Sequence, residues 1–191
     1  MYCIIGEDKS DVNTLKVIVR RIAGDKSIPV QGKGYNGAPE MLRKAAKQMN
    51  AFQSTGCRKF VVAYDSDGED AKERFATVVE CVIDKAKLEG PCCILIPVQE
   101  IEAWILADLP AVTNVISGWS PTESFANPEN QDDPKELLES LSKATNKKPR
   151  YDHTLHNEKV AEHLDLDVVF KKCPSFRPLR ELVVAGKGNC G

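Results

Sequence analysis

The most constraining feature of the chain is an apolar run that changes to helical spacing, and it occurs three times. Strand-like runs cover residues 2–5, 59–64 and 92–98, and a segment with apolar residues three and four apart follows each of them. This alternation is typical of a parallel sheet that is flanked by helices. The chain is therefore predicted to be an α/β protein with a mainly parallel, Rossmann-like sheet.

The 191 residues are enough for one domain with a sizeable core. Residues 1–109 are predicted to form the α/β core, residues 110–133 a surface loop, and residues 134–191 a C-terminal helical extension packed on the core. Inside the core we expect a short strand at residues 28–30, followed by a glycine-rich loop over GKGYNGAPE. Near the end, a helix around residues 159–163 is expected after the polar stretch NKKPRYDHTLHNE.

Composition and termini favour a cytoplasmic protein. The stretch MYCIIGEDKS has no positively charged N-terminal region, and its apolar run is too short for a signal peptide or a membrane anchor. Cys3, Cys92 and Cys93 lie in the strand-like runs without metal-ligand spacing, so we expect reduced core thiols. The formal net charge of -2 excludes a global basic field but leaves a local basic patch open.

Acidic side chains follow the end of each of the three predicted strands. Glu7 follows the first strand, Asp65 and Asp67 follow the second, and Glu100 and Glu102 follow the third. Because parallel strands end at one edge of a sheet, we expect these carboxylates to lie together. Carboxylates at close range repel one another and need a compensating cation. The pattern predicts a site for Mg²⁺ (or Mn²⁺), which prefers oxygen ligands.

Three chemistries use an acidic stretch such as YDSDGEDA. A calcium loop of EF-hand type that starts at Asp65 would need Gly at position 70 and Glu at position 76. The chain has Asp70 and Ala76 there, so this type of loop is excluded. A haloacid-dehalogenase-type phosphatase places its Asp-x-Asp-Gly after the first strand and follows it with Thr or Ser, whereas here Glu69 follows and a whole strand–helix lobe precedes. A Mg²⁺-dependent phosphodiester site remains.

Two stretches carry a resemblance to Toprim domains. GEDKSDVNTL resembles their first motif and YDSDGEDA their Asp-x-Asp motif, in the same order and spacing. Glu7 and Asp11 match the Glu-x-x-x-Asp pattern of the overcoming-lysogenization-defect nucleases. IPVQEIEAWILAD and CPSFRPLREL are similar to the signature and the end of a small Toprim-like family. One departure is that Gly6 precedes Glu7, whereas Toprim proteins commonly have Gly directly after this Glu.

The resemblance implies a Toprim-like fold and a Mg²⁺-dependent nuclease or nuclease subunit. Asp65 and Asp67 would bind one or two metal ions, and Glu102 would complete the cluster. Glu7, helped by Asp11, would be a metal ligand or a general acid/base. Glu100 points about 200° away from Glu102 on a helix, so only one of these two is expected to reach the site.

Basic residues are candidates for contacts with a nucleic-acid backbone. The residue types are those that neutralise phosphates, although an ordinary solvated loop is the alternative for each. The candidates are Lys33, Lys147, Lys148, Arg150 and Arg177.

The resemblance also implies partners and alternatives. Expected partners are nucleic acid, with DNA preferred over RNA, an ABC-type ATPase in antiphage defence, and a second copy of the chain; no membrane is expected. The alternatives are a non-catalytic Toprim-like module of an ATPase complex, a Toprim ribonuclease of RNA maturation and a small-molecule phosphotransferase. Topoisomerase activity is not expected, because the cleaving tyrosine of topoisomerases lies in additional domains that are absent from a chain this short.

Overall fold

Parallel strands form the centre of the fold in a computed structural model, which describes residues 1–144 and 149–190. The strands are β1 (Tyr2–Gly6), β2 (Val30–Gly34), β3 (Lys59–Ala63) and β4 (Cys92–Leu95), in the order β2-β1-β3-β4. All three neighbouring pairs of this sheet are parallel. The predicted α/β class with a parallel sheet is confirmed.

Helices flank the sheet and continue beyond it. In the part of the chain that the structure describes, no helix has the length and apolar character needed to cross a membrane. The helices are α1 (Lys9–Ala23), α2 (Ala38–Ser54), α3 (Ala71–Val78), a π-helical turn (Val79–Ile83) that leads into α4 (Asp84–Ala86), α5 (Glu102–Ala107), α6 (Pro134–Ala144), α7 (His153–Ala161), α8 (Leu166–Lys172) and α9 (Arg177–Ala185), with 3₁₀ turns at Leu109–Asn114, Pro128–Asn130 and Pro174–Phe176.

The sheet separates two hydrophobic cores. Side chains alternate between the faces of a strand, so Ile4 and Val61 enter one core while Ile5 and Val62 enter the other. The first core contains α1, α5 and the C-terminal helices, and the second contains α2 and the α3 region. Burial on both faces explains why the strands read as nearly continuous apolar runs. The division at residues 109 and 133 stays a prediction.

The two signature stretches of the sequence meet at α5. The indole Nε1 of Trp104 donates a hydrogen bond to the Ser175 hydroxyl at 2.9 Å, and its ring meets Phe176 edge-on with 5.0 Å between ring centres. The Ser175 hydroxyl in turn donates to the buried carboxylate of Glu129. These contacts fasten the C-terminal helices to the helix that follows β4.

The position of β2 corrects the sequence prediction. The sequence predicts a strand at residues 28–30 and a loop after it, but the strand begins at Val30 and runs to Gly34 through the glycine-rich stretch. A Cβ at Gly34 would lie 2.3 Å from the carbonyl oxygen of Asp8, and one at Gly32 would lie 2.4 Å from Val12. These two glycines therefore allow β2 to approach α1 closely instead of forming a loop.

The helix expected around residues 159–163 is also placed differently. Helix α7 begins at His153, where the Asp152 carboxylate caps it by accepting from the backbone N–H of Thr154. Two polar residues of this helix, His156 and Asn157, are buried. The apolar spacing that reveals a helix in a sequence is lost when polar side chains face the interior.

The prediction of a reduced thiol is wrong for Cys3. Its sulfur is bonded to that of Cys57, which lies between α2 and β3. Cys92 and Cys93 are free and buried, as expected. The sequence could not indicate the bond, because it depends on β1 lying beside β3 and not on the spacing of the cysteines.

Reduction of the Cys3–Cys57 bond is expected to lower the free energy of unfolding by up to about 4 kcal/mol, because it releases a loop with a sequence separation of 54. Urea unfolding with and without a thiol reductant measures the difference. A Cys57→Ser variant should not respond to the reductant, whereas Cys81→Ser, which removes a free thiol, should respond as the wild type does. Coinciding wild-type curves would contradict the prediction.

Candidate functional site

Acidic side chains from separate elements of the fold converge at the carboxyl edge of the sheet. Glu7 follows β1, Asp65 follows β3, and Glu102 begins α5 after β4. The pKa of Asp65 is raised well above its usual value by burial and then by the charges of Asp11, Glu7 and Glu102. We call Glu7, Asp11, Asp65 and Glu102 the carboxylate cluster.

The carboxylates of Asp11 and Asp65 have no partner among the residues that the structure describes. The bonds these two residues make involve their backbone N–H groups, and neither carboxylate accepts a hydrogen bond or joins an ion pair. Burial raises the pKa of Asp11 well above its usual value, and the charges of Asp8 and Glu102 raise it further. These two carboxylates therefore lack the compensation that a close group of negative charges needs.

Glu7 is held by a backbone N–H group. Its Oε1 accepts a hydrogen bond from the backbone N–H of Asp65 at 2.9 Å. Burial raises its pKa, and this hydrogen bond opposes the increase without cancelling it. A carboxylate with a fixed orientation and a raised pKa accepts a proton more readily than an ordinary glutamate does.

Glu102 is buried and contacts the C-terminal segment. The Nδ2 of Asn157 donates a hydrogen bond to its Oε1 at 2.9 Å, and the Oδ1 of Asn157 accepts one from the Tyr151 hydroxyl. Burial raises the pKa of Glu102, and the bond from Asn157 opposes this increase. The third strand end is thus connected to α7.

Glu100 has a different environment from Glu102. The Nζ of Lys135, at the start of α6, lies 2.7 Å from its Oε1. Burial disfavours the charged form of Lys135, but the bond to Glu100 and the charges of Glu102 and Asp65 raise the pKa of its ammonium group. Lys135 therefore brings a stable positive charge to the edge of the carboxylate cluster.

Asp67 lies at the rim of the site and not inside it. Its backbone adopts the left-handed conformation with φ of 49°, and its exposed carboxylate lies 3.8 Å from Nη2 of Arg74. The same guanidinium lies 3.2 Å from Glu69 and over the ring of Tyr64. Asp67 is still close enough to raise the pKa of Glu7.

The cluster has the donor chemistry of a site for a hard cation. All its side-chain donors are carboxylate oxygens, which are the ligands that Mg²⁺ and Mn²⁺ prefer. Across residues 1–144 and 149–190, however, no group of three or more His, Cys, Asp or Glu side chains is arranged to hold a metal ion. The edge therefore offers suitable ligands without a ready-made coordination sphere.

The predicted nucleic-acid contacts are scattered. Lys33 is exposed on β2, and Arg150 is exposed just before α7. Arg177 begins α9, where its guanidinium lies over an aromatic ring of α8. Lys147 and Lys148 lie outside the described residues. The role of these basic residues stays a prediction.

The sequence did not indicate several residues that surround the cluster. No motif in the sequence includes Lys135, Arg74 or Asn157. Asn157 also lies in the polar stretch NKKPRYDHTLHNE, which has no apolar spacing that would reveal a helix. Their contacts depend on where α6, α3 and α7 pack. A signal that could have been used is the helix cap at Asp152, which places Asn157 one turn inside α7.

Comparison with protein families gives one match, to a family described as "Domain of unknown function (DUF4276)", over residues 6–183. The matched range contains the whole carboxylate cluster. No curated protein and no solved structure matches the chain.

Stability should depend on pH through Asp11 and Asp65. Their raised pKa values in the folded state mean that the fold binds protons more tightly than the unfolded chain does. The associated stability is complete below the usual aspartate pKa of about 4 and is lost as the pH rises through the higher folded values. With divalent ions chelated, the free energy of unfolding should therefore fall as the pH rises above about 4.

The Asp65→Asn variant tests this dependence. It should flatten the profile and be more stable than the wild type at pH 8, by about 1.4 kcal/mol for each unit by which the fold raises this pKa. Urea unfolding across the pH range is the measurement, and Asp132→Asn, at an exposed position, is the matched control. Parallel profiles for the wild type and Asp65→Asn would contradict the account.

Proposed function

Because the chain belongs to the family described as "Domain of unknown function (DUF4276)", we propose its function from its site. The proposal is a metal-dependent nuclease, or the nuclease subunit of a complex, that hydrolyses phosphodiester bonds in nucleic acid. The observation that carries it is that the carboxylates of Asp11 and Asp65, inside the carboxylate cluster, have no hydrogen-bond or ion-pair partner among residues 1–144 and 149–190. The cluster lies at the carboxyl edge of the sheet, where α/β proteins bind ligands.

The cluster would hold Mg²⁺ or Mn²⁺ through Asp11, Asp65 and Glu102. When bound, such an ion polarises a phosphate and makes its bound water more acidic. Asp11 and Asp65 are the first candidates as ligands, since within residues 1–144 and 149–190 neither carboxylate accepts a hydrogen bond or joins an ion pair. Asp67 can join them at little cost, because an exposed ion pair such as that with Arg74 contributes less than about 1 kcal/mol.

Glu7 is the candidate for proton transfer. The backbone N–H of Asp65 fixes its carboxylate at the edge of the site. Its raised pKa allows it to accept a proton from an attacking water and to release it afterwards. Gly6 precedes Glu7 here, whereas Toprim proteins commonly have Gly after this Glu, but the carboxylate of Glu7 is still held in a suitable orientation.

Positive charge for the substrate would come from Lys135. It stays charged beside Glu100 and lies close enough to Glu102 and Asp65 to interact with both. Charge developing on a phosphate in the transition state is stabilised by a cation that is already oriented. Lys33 and Arg150, both exposed, are proposed to contact the phosphate backbone farther from the cluster.

The resemblance to Toprim domains supports nucleic acid over a small phosphate ester as the substrate. DNA is the first substrate to test and RNA the second. An ABC-type ATPase is the proposed partner in antiphage defence, and self-association of the chain is proposed as well.

A second candidate function is a non-catalytic module that binds nucleic acid or an ATPase partner. The observation in its favour is the pairing of Asp67 with Arg74, together with the lack of a ready metal group among the described residues. A module of this kind would keep the fold and the charges without cutting nucleic acid.

Cleavage assays separate the two candidates. Purified protein with Mg²⁺ or Mn²⁺ should cut supercoiled plasmid, linear duplex or RNA, and chelation should stop the reaction. Replacing both Asp65 and Asp67 by Ala should lower the cleavage rate by more than about 100-fold. This loss is larger than the about 10- to 100-fold loss that is typical when a residue that only orients a metal ligand is removed. Gel analysis of initial rates is the measurement.

The matched control is Glu69→Gln combined with Glu73→Gln, which removes two exposed negative charges from the same surface. This variant should cut at the wild-type rate. Undiminished cutting by the Asp65→Ala, Asp67→Ala variant would show that the site is wrong. Binding of nucleic acid without cutting by the wild type would favour the non-catalytic module.

A further inference from the structure

A chain of hydrogen bonds runs from the C-terminal segment into the carboxylate cluster. The Tyr151 hydroxyl donates to Asn157 Oδ1, and Asn157 Nδ2 donates to Glu102 Oε1 at 2.9 Å. The exposed fractions of Tyr151, Asn157 and Glu102 are 3%, 0% and 3%. The backbone N–H of Tyr151 is bonded to the Ser142 hydroxyl at 3.0 Å, which connects the chain to α6.

The chain gives the Asn157 amide a single orientation. Its oxygen is occupied by the Tyr151 hydroxyl, so its NH₂ group must point to Glu102. Of the side chains that the structure describes, Asn157 is the one that hydrogen-bonds to Glu102. A buried carboxylate that is held at one oxygen keeps its second oxygen in a fixed direction.

The same helix also holds α1, which carries Asp11. The Ser10 hydroxyl donates to the carbonyl oxygen of His153 at 3.2 Å, and Arg21 Nη1 donates to that of Ala161 at 2.7 Å. These bonds lie at the two ends of α7. Helix α7 therefore fixes the positions of two elements that supply carboxylates.

We propose that Asn157 is a positioning residue that orients Glu102 for binding a divalent cation. The inference rests on the proposed function, since it assigns Glu102 as a metal ligand. It makes the C-terminal extension part of the site. Loss of a side chain that orients a ligand typically weakens metal binding about 10- to 100-fold.

A purely structural role for Asn157 would give a different pattern. The side chain would then stabilise the packing of α7, and its removal would affect the fold but not the metal affinity. Ser175→Ala is the matched control, because it breaks another buried hydrogen-bond chain between α5 and the C-terminal region without touching Glu102.

Titration calorimetry with Mn²⁺ on protein first stripped of metal tests the proposal. Asn157→Ala should bind Mn²⁺ about 10- to 100-fold more weakly than the wild type. Tyr151→Phe, which loses only the hydroxyl, should weaken binding in the same direction but less. Ser175→Ala should bind as the wild type does.

A double-mutant cycle shows whether Asn157 acts through Glu102. In a Glu102→Gln background, Asn157→Ala should have no further effect on Mn²⁺ affinity. An equal loss in both backgrounds would overturn the proposal. If Asn157→Ala does not fold, Tyr151→Phe decides, and wild-type affinity in that variant would overturn the proposal.

The outcomes also separate this inference from the proposed function. A wild type that binds neither Mg²⁺ nor Mn²⁺ would overturn both. A wild type that binds Mn²⁺ and cuts nucleic acid, while Asn157→Ala binds with the same affinity, would overturn the role of Asn157 alone.

Discussion

The parallel pairing of β1, β3 and β4 is the constraint on which the rest of the structure depends. Ile5 lies opposite Val62, and Val62 lies opposite Ile94, so the three strands end at nearly the same level. The next residues along each chain must then share one small region, and they are acidic. Burial of apolar side chains on both faces of the sheet holds these charges together against their repulsion.

The C-terminal helices complete this region instead of merely covering the sheet. Helix α6 supplies Lys135 beside Glu100, and α7 supplies Asn157 to Glu102. The bond between Trp104 and Ser175 fastens the turn before α9 to α5. The signature stretches of the sequence therefore have a shared physical role, because their contact joins the end of the chain to the helix that follows β4.

The sequence was sufficient for the sheet, because apolar runs followed by helical spacing reflect local periodicity. It also placed Glu7, Asp65 and Glu102 at one edge, since strand ends follow from strand order. It could not give the Cys3–Cys57 bond or the contact of Asn157 with Glu102, both of which join residues more than 50 positions apart. The glycines of β2 suggested a loop for the same reason. They allow close contact with α1, and this contact depends on the tertiary fold and not on the neighbouring sequence.

If the carboxylate cluster binds a divalent cation, anomalous diffraction from crystals soaked in Mn²⁺ will locate the ion at this edge of the sheet. We expect a peak within about 2.6 Å of a carboxylate oxygen of Asp65 and of one from Asp11 or Glu102. The absence of a peak at this edge, or a peak confined to the exposed Asp67 and Glu69, would contradict this expectation.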